Sequence, residues 1–378
     1  MNQKMKQAML FTEGPILKPL LQFAVPVLFA LLLQAMYGGT DLLIVGQFAS
    51  AADVSAVSTG SQVMHSVTSV ITGLAMGTTI LLGQKIGQKK QQEAGDVIGS
   101  GICMFAVIAV VITAVMVGGA GVLAQAMHAP KEAFDKTVLY IRICSAGSLF
   151  ITAYNVLGSI FRGVGDSKTP LLAVFIACVF NIFGDLVFVA VFHMAAAGAA
   201  LATVLAQGIS VALSLVIIRR RQLPFAFARS NLRFNKKLIS KTLSLGFPIA
   251  LQDFLVSVSF LVILAIINGL GVVASAGVGV AEKLCTFILM MPSAFSQSMS
   301  AFVAQNFGAG KMDRAKRGMV YGMAVSFGCG LLLSYLSFFH GDLLTGLFAK
   351  DREIILAAAD YLRAYAIDTL LVSFLFCF

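Results

Sequence analysis

Long apolar runs, separated by short breaks rich in charge, glycine or proline, dominate this chain. One of them, Leu171 to Phe192, reads LLAVFIACVFNIFGDLVFVAVF with a single acid inside it. Splitting at the breaks predicts ten helical segments, at about 16–47, 53–83, 94–120, 133–162, 168–192, 197–218, 238–267, 272–303, 314–339 and 354–378. Each reaches the ~20 residues that a helix needs to cross a bilayer. Barrel strands would be shorter and would alternate in polarity. An all-α integral membrane protein is predicted.

Composition agrees. Hydrophobic residues make up 58% of the 378 residues, charged residues 12%, and mean hydropathy is +0.91. A soluble domain carries roughly 25% charged residues. The net charge of +10 would suggest a nucleic-acid partner in a soluble protein. Its placement excludes that. With the N-terminus in the cytoplasm, 20 of the 27 basic residues fall in cytoplasmic regions, against Lys131, Lys136, Lys350 and Arg352 outside. That asymmetry is the topology signal of a multi-pass membrane protein, and a cell-membrane location is expected. Lys4 and Lys6 precede a run too long for a cleavable signal. All six cysteines lie within apolar runs without metal-ligand spacing, so free thiols are expected.

The chain repeats itself. Pro26 and Pro248 open the first and seventh segments. Gln84 and Gln305, Gly87 and Gly308, and Tyr140 and Tyr361 are all 221 residues apart. The order and common offset indicate duplication, with an N-lobe at 12–218, a cytoplasmic linker at 219–237 and a C-lobe at 238–378. Six helices is an even number, so the two bundles share one orientation and are related by an axis along the membrane normal. Such parallel repeats hold substrate between the halves and rock about it. At the same offset Phe378 corresponds to Leu157, so a C-lobe lacking its last two helices is expected.

Ionisable residues at membrane depth are costly and mark function. Five acids qualify: Asp41, Asp185, Asp253, Glu282 and Asp368. Asn181 and Asp185 are four apart and share a helix face. A short turn brings Thr203 back beside them, and Asp41 lies late in the first helix. These four offer two carboxylates, an amide oxygen and a hydroxyl, an all-oxygen set suited to Na⁺ or proton exchange. Gln34 and Tyr37 precede Asp41 on a comparable face and are candidate cavity residues. Pro26, inside the first helix, is a candidate hinge. Asp253, Glu282 and Asp368 show no partner spacing and stand as possible C-lobe polar sites. No phosphate-binding loop, metal-ligand cluster or hydrolase triad is visible, so neither an enzyme nor a cofactor is expected.

Pro26 with Gln34 and DLLIVGQF, GQKIGQKK after the second helix, IFRGVGDSKTP after the fourth and Asn181-x-x-x-Asp185 in the fifth resemble the MATE family, the multidrug and toxic compound extrusion transporters. The resemblance implies twelve helices in two lobes and a monomeric antiporter that exports organic cations and other amphipathic drugs in exchange for Na⁺ or H⁺. It implies a cation site at Asp41, Asn181, Asp185 and Thr203, with Gln34, Tyr37 and Tyr140 in the drug cavity. Some members carry an acid eight residues after the proline of helix seven; here that position is Val256, and Asp253 is nearest. A flippase for lipid-linked oligosaccharides, of a related bundle type, would favour a basic cavity. Only Arg142, Lys283 and Arg363 are basic near membrane depth, fewer than the acids. A fragment that scaffolds without transporting is the remaining alternative.

Overall fold

The computed structural model describes residues 11–220, 225, 227–268, 272–348 and 351–376, and within them every regular element is a helix. The first half contains α1 (Leu17–Phe48), α2 (Ala51–Gly87), α3 (Gln91–Ala126), α4 (Phe134–Ala146), α5 (Ser148–Gly163), α6 (Lys168–Asp185) with a π-helical extension over Leu186–Val191, and α7 (Ala195–Arg220). The second contains α8 (Lys236–Asn268), α9 (Val272–Gly308), α10 (Met312–Phe339), the short α11 (Gly341–Gly346) and α12 (Arg352–Leu375). Side chains turned outward are apolar: on α3, Val110, Val115 and Val122 are 66%, 64% and 71% exposed. A surface of that kind needs lipid around it.

Among the described residues eight helices are long and apolar enough to cross a bilayer, and the bent pair α4 and α5 makes a ninth. The expected single helix over 133–162 is therefore two, bent by 51° at Gly147. The cause lies outside the segment. A Cβ at residue 147 would stand 2.5 Å from the Val204 methyl groups, so α7 presses directly on the backbone there. The tenth expected span is present as α12, but Arg352, Glu353, Asp360, Arg363 and Asp368 keep it below the apolar standard of the others. It packs along α9 and α10. Pro26 does not interrupt α1, which stays helical on both sides of it. Five cysteines are free thiols, and Cys377 lies outside the described residues, as do Lys4, Lys6 and Lys350.

The expected linker is not a loose tether. Residues 221–224 and 226 lie outside the described set, but Arg229–Asn231 forms a 3₁₀ turn seated on α3. Asn231 is buried and donates to Asp96 at 2.9 Å, while Arg233 pairs with Asp96 at 3.2 Å. Ser100 donates to the Arg233 carbonyl at 3.1 Å.

The two halves meet mainly at one end, the end that carries the linker. There α2 packs on α8 and α9, and α1 packs on α9. Glycine permits the approach. A Cβ on Gly77 would overlap the Thr242 carbonyl oxygen, and one on Gly246 the Leu74 carbonyl oxygen. Lower down, a Cβ on Gly87 would overlap the Gln305 carbonyl oxygen and one on Gly308 the Gln84 carbonyl oxygen. The last two contacts are reciprocal, each using one residue from each copy of the repeat. That is the self-complementary pattern of a two-fold interface, produced here within one chain.

A strap closes the same end. Arg314 donates from Nε to the Phe11 carbonyl at 3.0 Å, from Nη1 to Gly14 at 2.6 Å, and from Nη2 to Glu13 at 3.0 Å and Pro15 at 3.2 Å. Asn306 donates to Phe11 at 2.8 Å and Lys311 to Thr12 at 2.9 Å. The Phe11 ring is buried between Phe23 and Phe302. Charge-assisted donors to backbone contribute about 1.5–3 kcal/mol each where shielded. Arg314→Ala is expected to release residues 11–15 while α1 stays folded. Hydrogen–deuterium exchange would show at least ~10-fold faster exchange in that segment alone. Unchanged protection there would refute the strap.

Candidate functional site

Helix spacing sets the site. Gln34, Tyr37 and Asp41 follow one another on α1 at three- and four-residue steps, Asn181 and Asp185 at four on α6, and Thr203 and Gln207 at four on α7. α6 and α7 pack closely because residue 184 is glycine; a Cβ there would lie 3.0 Å from the Ala202 Cβ. The helix changes to π geometry immediately after Asp185. Such single π turns concentrate at functional positions because they re-aim side chains without ending the helix.

The four residues expected to bind a cation meet. Thr203 Oγ1 donates to Asp41 Oδ2 at 3.1 Å, and Asn181 Nδ2 approaches Thr203 Oγ1 at 3.5 Å. Asp185 lies directly against Asp41. Asp41 is 3% exposed, and Asn181 and Asp185 are fully buried. Among the described residues Asp41 Oδ1, Asn181 Oδ1 and both oxygens of Asp185 are buried without a donor from another group, and the two carboxyl groups lie in hydrogen-bond contact with each other. Buried polar atoms are nearly always satisfied. Acceptors gathered in this way, two of them on one carboxylate, are suited to share a proton or a cation.

The expected cavity residues surround it. Tyr37 accepts a hydrogen bond from Gln207 at 3.1 Å, and its hydroxyl lies within the field of Asp41. Gln34 donates to the Tyr154 hydroxyl at 2.7 Å. Tyr140 is buried against Gly60 and within electrostatic reach of both Asp41 and Asp185.

In the second half, Glu282 on α9 and Asp368 on α12 come near each other without any local spacing signal: both lie within electrostatic reach of Cys285 and Tyr361, and Asp368 also of Tyr365. Tyr361 and Tyr365 stack at 6.4 Å and 11°, with Phe260 against Tyr365. The Tyr365 hydroxyl and Glu282 Oε1 are buried without a partner. Tyr140 and Tyr361, equivalent in the repeat, thus each stand beside the acids of their own half. Asp253 stays apart, with no hydrogen bond or ion pair to its carboxylate among the described residues.

The sequence matches the MatE family over residues 26–187 and 248–378, which include Asp41, Asn181, Asp185 and both copies of the repeat. The chain belongs to the MatE family. Among MatE relatives it is 27% identical to the probable multidrug resistance protein YpnP of Bacillus subtilis (strain 168), over 93% of this chain and 79% of that protein. It is 23% identical to the multidrug export protein MepA of Staphylococcus aureus (strain MW2), over 99% of this chain and 83% of that one. The fold is that of a multidrug resistance MATE transporter of the MOP superfamily solved in an outward-facing conformation, with TM-score 0.89 and 20% identity, covering 100% of this chain and 83% of that one. It is equally that of a MOP superfamily transporter from Pyrococcus furiosus, described as having a binding pocket of reverse polarity, with TM-score 0.88 and 20% identity, covering 99% and 82%.

In this MatE chain sequence reasoning missed Gln207, Tyr154 and Arg162. Gln207 was detectable as the residue one turn beyond Thr203. Tyr154 lies across the bundle from Gln34 and had no local signal. Arg162, two turns beyond Tyr154 on α5, acts electrostatically on the Tyr154 hydroxyl and has Nε and Nη2 buried without a partner.

Proposed function

We infer that this chain is a secondary antiporter that exports cationic and amphipathic organic molecules in exchange for Na⁺ or H⁺. The observation that carries this reading is the buried pair Asp41 and Asp185, with Asn181 and Thr203, whose orphaned oxygens face one another. Two carboxylates out of water must share a proton or enclose a cation. The multidrug names of the relatives supply the substrate class, and the acids at membrane depth match cationic cargo in charge.

The excess of basic residues at the linker end supports a cytoplasmic position for it. Closure at that end then corresponds to an outward-facing state, in which the cavity releases cargo and loads the coupling ion. Ion binding between Asp41 and Asp185 draws α1 and α6 together around the ion. Tyr37 and Gln34 lie on α1 within two turns of Asp41, so a change at the acids reaches the cavity wall along one helix. The ion drives the lobes only to the extent that it binds one state better than the other.

The test uses the purified chain in proteoliposomes. Ethidium is expected to move against its own gradient when either an opposed Na⁺ gradient or an opposed pH gradient is imposed, and the effective gradient names the coupling ion. Movement under neither gradient overturns the reading.

A further inference from the structure

The pair α1 and α6 carries a second feature, unconnected with the acids. On their outer side they enclose a groove of about 450 Å³, lined by Phe29, Leu32 and Leu33 of α1 and by Leu171, Leu172 and Phe175 of α6, with Lys168 at one end. That volume is within the range of sites that hold a whole small ligand, ~300–1,000 Å³. The groove opens on the outer face of the bundle rather than to the interior. Phe29, Leu172 and Phe175 are 51%, 47% and 52% exposed. Each continues an exposed apolar stripe, with Val25 and Met36 on α1 and with Val179 and Phe183 on α6. The face of α1 that packs on α9, with Ala24 and Val27, points elsewhere.

Lys168 is the only charge on this lining. It is exposed and makes no ion pair among the described residues. The nearby Asp166 carboxylate is turned into the start of α6, accepting from the backbone N–H groups of Lys168 and Thr169 at 3.0 Å each. An apolar groove with an ammonium at one end has the polarity of a phospholipid: tail against the apolar lining, negative headgroup at the lysine. Basic groups beside transmembrane helices on the cytoplasmic side select anionic lipids in this way.

We propose that the α1–α6 groove binds one anionic phospholipid, its acyl chain against Phe29, Leu33 and Phe175 and its phosphate at Lys168. Leu33 is one turn from Tyr37, so the tail braces α1 and α6 against each other just below the acid site. The proposal does not depend on the cargo or the coupling ion, and it fails or stands independently of them.

The chain contains no tryptophan, so one introduced residue gives an unambiguous signal. Phe175→Trp places the reporter in the groove, and Val115→Trp places one on the exposed face of α3 as a reference. Each is reconstituted with acyl-brominated phosphatidylglycerol or phosphatidylcholine, and quenching is compared. The groove reporter is expected to favour phosphatidylglycerol about fivefold, the effect of one lysine beside an anionic headgroup. The reference should show no preference. Lys168→Gln in the Phe175→Trp background should abolish the selectivity, and Leu172→Trp should reproduce it if the first reporter disturbs the groove. Equal quenching by the two lipids at both groove reporters overturns the proposal, as does selectivity that survives Lys168→Gln or that equals the selectivity of the reference.

Discussion

Gly77→Ala, Gly87→Ala and Gly308→Ala are each expected to open the linker end of the molecule and to stop transport. At all three positions the backbone of the opposite half occupies the space of a Cβ: Thr242 at Gly77, Gln305 at Gly87 and Gln84 at Gly308. The obstacle is a carbonyl oxygen on a helix, which cannot rotate away as a flexible side chain can. Overpacking of this kind costs about 1–3 kcal/mol. In a two-state equilibrium that lowers the closed-to-open ratio roughly 5- to 150-fold. Spin labels at Lys90 and Lys316, in a background with the cysteines replaced, would report it as a longer distance by double electron–electron resonance. Both positions are exposed and flank the reciprocal contacts. Gly118→Ala is the control, because nothing lies within 4 Å of its added methyl. Unchanged distances in all three variants would remove the glycines from the gate. The three substitutions should act alike although Gly308 lies in the opposite half from the other two, since the contacts form one interface.

This interface was partly legible in the sequence. The 221-residue offset tied Gln84 to Gln305 and Gly87 to Gly308 as equivalents. That each copy would touch the other's partner, and not its own surroundings, is a property of assembled bundles. The spans were legible because apolar length is a one-dimensional signal. The break at Gly147 was not: the group that meets the backbone there, Val204, belongs to α7, far along the chain. The π turn after Asp185 has no composition of its own.

The acid site divides along the same line. Asn181 and Asp185 were joined by spacing on one helix, and Thr203 by a short turn. Asp41 followed from its depth in α1. The meeting of Glu282 with Asp368 was hidden, since nothing local on α9 refers to α12. The repeat held a clue to it: Tyr361 stands where Tyr140 stands in the first half, and Tyr140 looks onto acids.

Asp185→Asn and Asp41→Asn are expected to abolish gradient-driven export while leaving the fold and membrane insertion intact, and to do so for different reasons. Asp185 lies against Asp41 with both oxygens in the buried cluster, so its replacement removes a carboxyl group that can take up a proton or a cation and adds an amide that can only donate to Asp41. Asp41 already accepts from Thr203 at 3.1 Å, so its replacement also disturbs the link between α1 and α7. Each substitution removes one of the two carboxylates that can hold the coupling ion, and one charge-assisted contact of about 1.5–3 kcal/mol is roughly 10- to 150-fold in an equilibrium. Reversing a two-state equilibrium from 1:99 to 99:1 takes about 5.5 kcal/mol of differential binding, so either loss removes a large part of the drive. Efflux driven by the gradient should fall ~100-fold in both variants, whereas gradient-independent binding of ethidium, followed by fluorescence polarisation, should change less in Asp185→Asn than in Asp41→Asn, because Asp41 shares its helix and its field with Tyr37. Thr203→Val separates the two contributions: it keeps both carboxylates and deletes only the donor, so it should weaken coupling by about tenfold, the worth of one hydrogen bond to a charged group. Full gradient-driven efflux by Asp185→Asn would show that the ion binds elsewhere, and the acids around Tyr361 would then be the place to look.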